Sequence, residues 1–269
     1  MIKLIALDLD GTIVDEQLAI SDLTKQVIAR VQAEKNIKVL ISTGRMFPST
    51  LPFARRLDIT HPVISYQGGM IRAIEPERKN IEDYPILFNQ PIEMDTASGI
   101  LDLIEANDWQ ANLYVNDHLF VNKMTYETQH YQMISGVSPE VVPDLKSMLT
   151  AAPSKMMIID AHANTIVEIL KKDFPGQVNA CLSRFNYCEL VNPEVSKWRA
   201  IEYLMGEWGI TADEVMAVGD QENDLSMIEG AGIGVAMGNA PAHVKAHAND
   251  VTDTIERDGA AKAILKWAL

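Results

Sequence analysis

Two aspartates one residue apart, Asp8 and Asp10 in Leu7-Asp8-Leu9-Asp10-Gly11-Thr12, are the residues best placed for chemistry in this chain. They close the apolar run Ile2, Leu4, Ile5, Ala6, Leu7, which reads as a buried parallel strand over residues 2–8. Open α/β sheets bind ligands at the carboxyl ends of their strands. Two acids crowded there repel each other and lose solvation, and a divalent cation is the simplest offset. Gly11 lets the backbone leave the strand sharply, and Thr12 adds a hydroxyl. A plain turn capped by Asp10 explains one acid well and two poorly. A second acidic group lies far along the chain, in Gly219-Asp220-Gln221-Glu222-Asn223-Asp224. Asp220 ends a strand there, and Asp224 starts the next helix, whose dipole favours negative charge. Capping by Asn223 or Asp220 accounts for only one of these polar residues. Thr43-Gly44, after another strand, offers a hydroxyl and unhindered amides suited to an anion such as phosphate. Taken singly, Thr43-Gly44 and Lys197 are weak signals, because strand-to-helix turns use such residues routinely and a first-turn lysine is usually solvated.

The elements that must position these residues alternate as strand and helix. After the first strand, Ser21 caps a helix with apolar face Leu23, Val27, Ile28 and Val31. Strand 37–41 follows, then a helix around 48–57 and a third strand at 63–66, broken by Gly68-Gly69. The rhythm resumes at Pro193 with helix 196–208, strand 215–218, a helix from Asn223, strand 232–236, a helix near 241–248, a short strand at 250–252 and helix 259–268. Such alternation predicts an α/β fold with a doubly wound, Rossmann-like parallel sheet. Between these halves the texture differs. Helix 94–106 precedes two alternating segments, 111–115 and 119–122, joined at Asn116-Asp117-His118 as a hairpin. Helix 125–135, strand 156–160, helix 163–172 and the strand-like stretch 179–191 complete that section. The expectation is a core of residues 1–82 and 191–269 carrying an inserted α+β cap over 83–190, with Pro85 and Pro193 restraining the crossings.

Composition narrows the function. The chain of 269 residues is 47% hydrophobic and 22% charged, ordinary for a globular protein with a sizeable core. A net charge of −14 disfavours nucleic acid and anionic membrane surfaces as partners. No apolar stretch approaches the roughly 18 residues of a membrane span, and the amino terminus lacks a signal-peptide pattern. Cys181 and Cys188 read as reduced core thiols, and the expected location is the cytoplasm.

Together, Asp8-Leu9-Asp10-Gly11-Thr12, Thr43-Gly44-Arg45, Lys197 and Gly219-Asp220-Gln221-Glu222-Asn223-Asp224 resemble the four ordered motifs of the haloacid dehalogenase-like phosphatases. Val235-Ala236-Met237-Gly238-Asn239-Ala240 and Asp258-Gly259 are similar to the Cof-type branch, which acts on sugar phosphates and related metabolites. The resemblance spans the chain, and four motifs in the right order are highly specific. It implies that Asp8 is the nucleophile and that Asp10 protonates the leaving group and then activates water. It also implies Mg²⁺ held by Asp8, the Asp10 carbonyl and Asp220, with phosphate oxygens bound by Leu9, Thr43, Gly44, Lys197 and Asn223. Asp224 and Arg45 stand behind these, with Asp224 orienting Lys197 or a metal-bound water. The implied partner is a small phosphorylated metabolite, and the chain is a monomer or homodimer. Gln67 stands where that branch usually has Asn, and Trp198 where it usually has Gly after the lysine, so both bear on substrate fit.

Competing readings are weaker. A phosphomutase would share the core but carries a smaller helical cap, and a nucleotide or cofactor phosphate is an alternative substrate. Receiver modules, which accept phosphate for signalling, are about half this length and lack the second acid. A silent ligand-binding relative would have no reason to keep Asp8, Asp10, Lys197 and Asp220 together. His243 and His247 share a helix face but have no third ligand, so a solvated face is expected. Met156–Ile159 reads as core strand, and Trp109, Tyr114 and Phe120 as packing.

Overall fold

The computed structural model describes residues 1–75 and 77–269, with Arg184 described by its backbone alone. In chain order, β1 (Leu4–Leu7), α1 (Asp22–Lys35), β2 (Lys38–Ile41) and α2 (Phe47–Arg56) lead into β3 (Val63–Ser65), β4 (Met70–Arg72) and β5 (Ile86–Asn89). Next come α3 (Met94–Ala106), β6 (Gln110–Val115), β7 (His118–Val121), α4 (Tyr126–Ser135) and β8 (Glu140–Val141). They are followed by β9 (Lys155–Ile159), α5 (Ala163–Asp173), β10 (Asn179–Arg184) and β11 (Tyr187–Val191). The chain ends with α6 (Lys197–Trp208), β12 (Val215–Gly219), α7 (Leu225–Gly230), β13 (Ile233–Ala236), α8 (Ala242–Ala246), β14 (Asp250–Val251) and α9 (Gly259–Trp267).

The first sheet has the order β14-β13-β12-β1-β2 and is parallel throughout. Its strands are apolar on both faces because both are covered. Ile5 and Leu7 face a cluster with Val27, Ile28 and Val31 of α1 and Ala260, Ala261 and Ile264 of α9. Leu4 and Ala6 face the opposite cluster, with Ala200, Ile201 and Leu204 of α6. Since every strand runs the same way, the carboxyl ends of β1, β2 and β12 open on one edge. Local signals set the helix starts: Ser21 accepts from the Thr24 amide and Ser196 from the Arg199 amide.

The inserted unit is a six-stranded sheet, β10-β11-β9-β6-β7-β8. Asn116 and Asp117, with φ of 51° and 61°, make the tight turn between β6 and β7. One face buries α3 and α5 through Ile100, Ile104, Ile166 and Leu170. The other lies over the first domain, where Tyr114, Met157 and Tyr187 pack with Met46, Tyr66 and Met70. A buried ion pair, Arg72 Nε to Asp117 Oδ2 at 2.7 Å, and a 2.7 Å bond from the Tyr66 hydroxyl to Asp117 Oδ1 fasten that joint. The crossing segments are tied to each other by Asn192 Nδ2 donating to the Pro91 carbonyl at 2.8 Å.

Three expectations need correction. Val63–Ser65 is not a further strand of the parallel sheet; β3, β4 and β5 form their own antiparallel sheet, and a single bridge from Ser42 to Ile64 joins β3 to the larger one. The cause is local: Tyr66 and Gln67 have φ of 53° and 63°, and with Gly68 at 105° they turn the chain straight back. The stretch 179–191 is two strands rather than one, β10 and β11 paired antiparallel around Phe185-Asn186. Both cysteines are free, but only Cys188 is buried; Cys181 is exposed. Among the described residues no helix is long and apolar enough to cross a membrane.

Gly68 is where this turn meets the amino end of α6. A Cβ there would lie 2.1 Å from the Ser196 carbonyl oxygen. Gly68→Ala is therefore expected to destabilise the protein by at least about 1–3 kcal/mol from the left-handed backbone alone, with the clash added. Denaturant titration checks this, and an unchanged midpoint would refute it.

Candidate active site

The Asp8 amide extends the parallel ladder by bonding the Val218 carbonyl at 3.0 Å, which fixes its carboxylate at the sheet edge. Ser196 starts α6 so that Lys197 points inward and is wholly buried. Its Nζ donates to Asp8 Oδ1 and Asp224 Oδ1, each at 2.5 Å. The other Asp224 oxygen accepts from the Asp220 and Gln221 amides at 2.8 and 2.9 Å. Asp224 is thus spent on fixing Lys197 and the turn. A Cβ on Gly219 would fall 2.5 Å from the Asp224 Cβ, so this turn closes only around glycine. Asp220 Oδ1 accepts from the Thr12 hydroxyl at 3.2 Å, and Oδ2 from Gln221 Nε2 and Asn239 Nδ2 at 3.0 and 3.2 Å.

Carboxylate oxygens of Asp8, Asp220 and Asp224 all lie within 4.8 Å of one another. Three acids share one lysine in a dry place, and two of them, Asp8 and Asp220, hold their protons more tightly for it. Burial pushes Asp8 well above the usual carboxylate range, Lys197 works against it, and Asp224, Asp220 and Asp10 add repulsion. Burial and the Asp224 charge raise Asp220 to about 6. Lys197 would be lowered by burial, but Asp224 and Asp8 more than reverse this and hold it charged.

Around this floor, the Thr43 amide is bonded to the Ile64 carbonyl at 3.0 Å, while its hydroxyl accepts from the Arg45 amide at 3.2 Å. The Thr43 amide is therefore engaged in the fold. The amides of Leu9 and Gly44 have no acceptor among the described residues. Asn223 Nδ2 is also engaged, donating to Gln67 Oε1 at 2.7 Å. Asp10 stands apart from the acid cluster, half exposed, with both oxygens held by Arg45 Nε and Nη2 at 2.7 and 2.6 Å.

A cleft of about 220 Å³ joins Asp8, Asp10, Thr43, Gly44 and Arg45 to Tyr131, Lys155, Ser183, Tyr187 and Glu189 of the inserted unit. Lys155 Nζ pairs with Glu189 Oε2 at 2.7 Å, and Gln67 Nε2 donates to the same oxygen at 3.2 Å. Gln67 thus links the two units beside the cleft. None of Tyr131, Lys155, Tyr187 or Glu189 was singled out by spacing; the only hint was the polar Lys155 and Glu189 within apolar strands. His243 and His247 are exposed and pair with Glu222 and Glu229, and none of the four lines this cleft. Tyr114 is core, as expected, with its hydroxyl 2.7 Å from that of Tyr131.

Comparison with known proteins gives this arrangement a place. A family model described as haloacid dehalogenase-like hydrolase matches residues 5–264. The chain belongs to that family. Among its relatives, 5-amino-6-(5-phospho-D-ribitylamino)uracil phosphatase YcsE of Bacillus subtilis is 31% identical over 268 residues, covering 100% of this chain and 96% of its own. A second B. subtilis protein with that activity in its name, YitU, is 26% identical over 280 residues, covering 98% and 97%. The crystal structure of a haloacid dehalogenase-like hydrolase from Bacteroides thetaiotaomicron superposes with a TM-score of 0.88 at 28% identity, covering 99% of each chain. In this hydrolase, as in its family, the parallel sheet is the core and the inserted α+β unit the cap.

Proposed function

We propose that this hydrolase removes phosphate from small phosphorylated metabolites, sugar or sugar-alcohol phosphates first, through an aspartyl-phosphate on Asp8. The observation that carries the reading is the buried group of Asp8, Asp220, Asp224 and Lys197, from which Asp8 opens into a cleft shared with the cap. The net charge of −14 suits a cytoplasmic metabolite better than nucleic acid or a membrane. Two relatives named for a phosphoribityl-aminouracil substrate favour a linear phosphorylated polyol bearing a ring as a second candidate.

In this mechanism Asp8 Oδ2 attacks phosphorus in line with the ester oxygen, while Lys197 holds Oδ1 and fixes the carboxylate's aim. The Leu9 and Gly44 amides and the Thr43 hydroxyl face the transferring oxygens, where donors stabilise developing charge. Asp10 gives its proton to the departing alkoxide, then takes one from the water that splits the aspartyl-phosphate. The donor set fits a hard divalent cation, because three crowded acids with one lysine leave buried negative charge in excess. Asp8, Asp220 and the Asp10 carbonyl would hold Mg²⁺, which when bound offsets the repulsion between carboxylate and phosphate. The cap, which begins at a crossing at 90–93 rather than at 83 because β5 pairs with β4 beside the core, and ends at 192–194, excludes water and contacts the non-reacting part of the substrate.

Phosphate release from a panel of phosphorylated sugars, polyols and nucleotides tests the reading. Activity is expected to vanish with excess chelator and to return with Mg²⁺ or Mn²⁺. Ca²⁺ should restore it poorly, because its longer and more numerous bonds misplace the phosphate. Full activity in chelator would refute the cation's role.

A further inference from the structure

The acid expected to protonate the leaving group is turned to an arginine in this structure. Both Asp10 oxygens accept from one guanidinium, Arg45 Nε at 2.7 Å and Nη2 at 2.6 Å. A forked pair of this kind is the strongest ordinary carboxylate contact and fixes the direction of both oxygens. The remaining arm of Arg45, Nη1, reaches across to the cap. It donates at 2.8 Å to the Ile134 carbonyl, in the last turn of α4, and at 3.1 Å to the Ser49 hydroxyl. Ser49 in turn donates at 2.5 Å to the Ser135 carbonyl. The carbonyls at a helix carboxyl end have no partners within the helix and carry its negative dipole, so a cation seats there well. One side chain therefore holds the reacting carboxylate of the core and the cap together.

We propose that Arg45 is a positioning residue that couples the seating of the cap on the core to the orientation of the Asp10 carboxylate. The proposal rests on the reading of Asp10 as the acid for the leaving group. A guanidinium has a fixed planar fork, so Nη1 cannot follow Ile134 without turning Nε and Nη2. When the cap shifts over a bound substrate, the fork turns and one Asp10 oxygen is released toward the ester oxygen. With the cap seated and the cleft empty, Asp10 is parked. This ties the release of Asp10 to a substrate beneath the cap.

Leaving groups separate this role from simple docking. A sugar alkoxide needs a proton as it departs, whereas 4-nitrophenolate does not. In Arg45→Ala and Arg45→Lys, kcat/KM for a hexose 6-phosphate is expected to fall at least tenfold more than for 4-nitrophenyl phosphate. The loss should lie in kcat rather than KM. Lysine keeps the charge but not the fork, so it should not rescue the ratio. Amide hydrogen exchange over residues 130–137 is expected to rise at least fivefold in both variants. An equal fall for both substrates, rescue by lysine, or unchanged exchange in that segment would each overturn the coupling. If the parent releases phosphate from neither compound, the reading of the reaction fails, and the exchange measurement still decides whether Arg45 holds the cap.

Discussion

Asp8→Asn is expected to abolish turnover, by roughly three orders of magnitude or more, with the fold intact. The amide is neutral and cannot attack phosphorus, while its shape still fits between Lys197 and the Val218 ladder. Stability should move the other way. Burial, then repulsion from Asp224, Asp220 and Asp10, outweighs the attraction of Lys197 and raises the Asp8 carboxyl above its ordinary range. A carboxyl raised by folding binds its proton more tightly in the native state. Its ionised form therefore weakens the fold once pH exceeds the unfolded value, near about 3.9. Asparagine removes that penalty. The variant should melt no lower than the parent at pH 8, and any advantage should shrink as pH falls toward 4. Phosphate release and thermal unfolding at the two pH values measure both effects. Residual activity within tenfold of the parent would remove Asp8 from its role.

The placement of the candidate site was legible where a side chain's position follows from the local element. Asp8, Thr43 and Asp220 each follow an apolar run short enough to be a strand, and parallel strands bring their carboxyl ends to one edge. Lys197 becomes specific only beside Asp8 and Asp224; alone in a first helical turn it reads as a solvated residue. The cap-side lining was hidden for a different reason. Lys155 and Glu189 come from β9 and β11, whose meeting depends on antiparallel pairing within the inserted sheet, Met157 opposite Glu189. No local spacing reports which face of that sheet turns to the core. The same limit explains β3. Its apolar run suits a parallel strand, and the reversal is dictated by positive φ at Tyr66 and Gln67, neither of which carries glycine's usual signal. Sequence spacing also does not show that the Thr43 amide and the Asn223 side chain each have a partner within the protein.

Lys197→Met should produce the largest loss of stability. Lysine here is fully buried, with Asp8 and Asp224 on either side at 2.5 Å, and Asp224 is itself fully buried. Methionine fills much of the same volume but supplies no charge, so two close carboxylates lose their counterion. Breaking a buried pair by removing one partner typically costs about 3–5 kcal/mol. The acids can escape part of this by taking up protons, and that fixes the pH dependence. Without Lys197 the Asp8 carboxyl, already raised by burial, rises further, so the variant's deficit must grow as pH rises above the ordinary carboxylate range. The expected result is a loss near the full value at pH 8 and a clearly smaller one at pH 5, by denaturant titration. Asp220, raised to about 6 even with Lys197 present, titrates inside that interval and adds to the same trend. Turnover should be lost at both pH values, because Asp8 is no longer aimed and phosphate no longer meets a cation there. A variant as stable as the parent at pH 8, or one that weakens on acidification, would mean that Lys197 does not hold the acid cluster together.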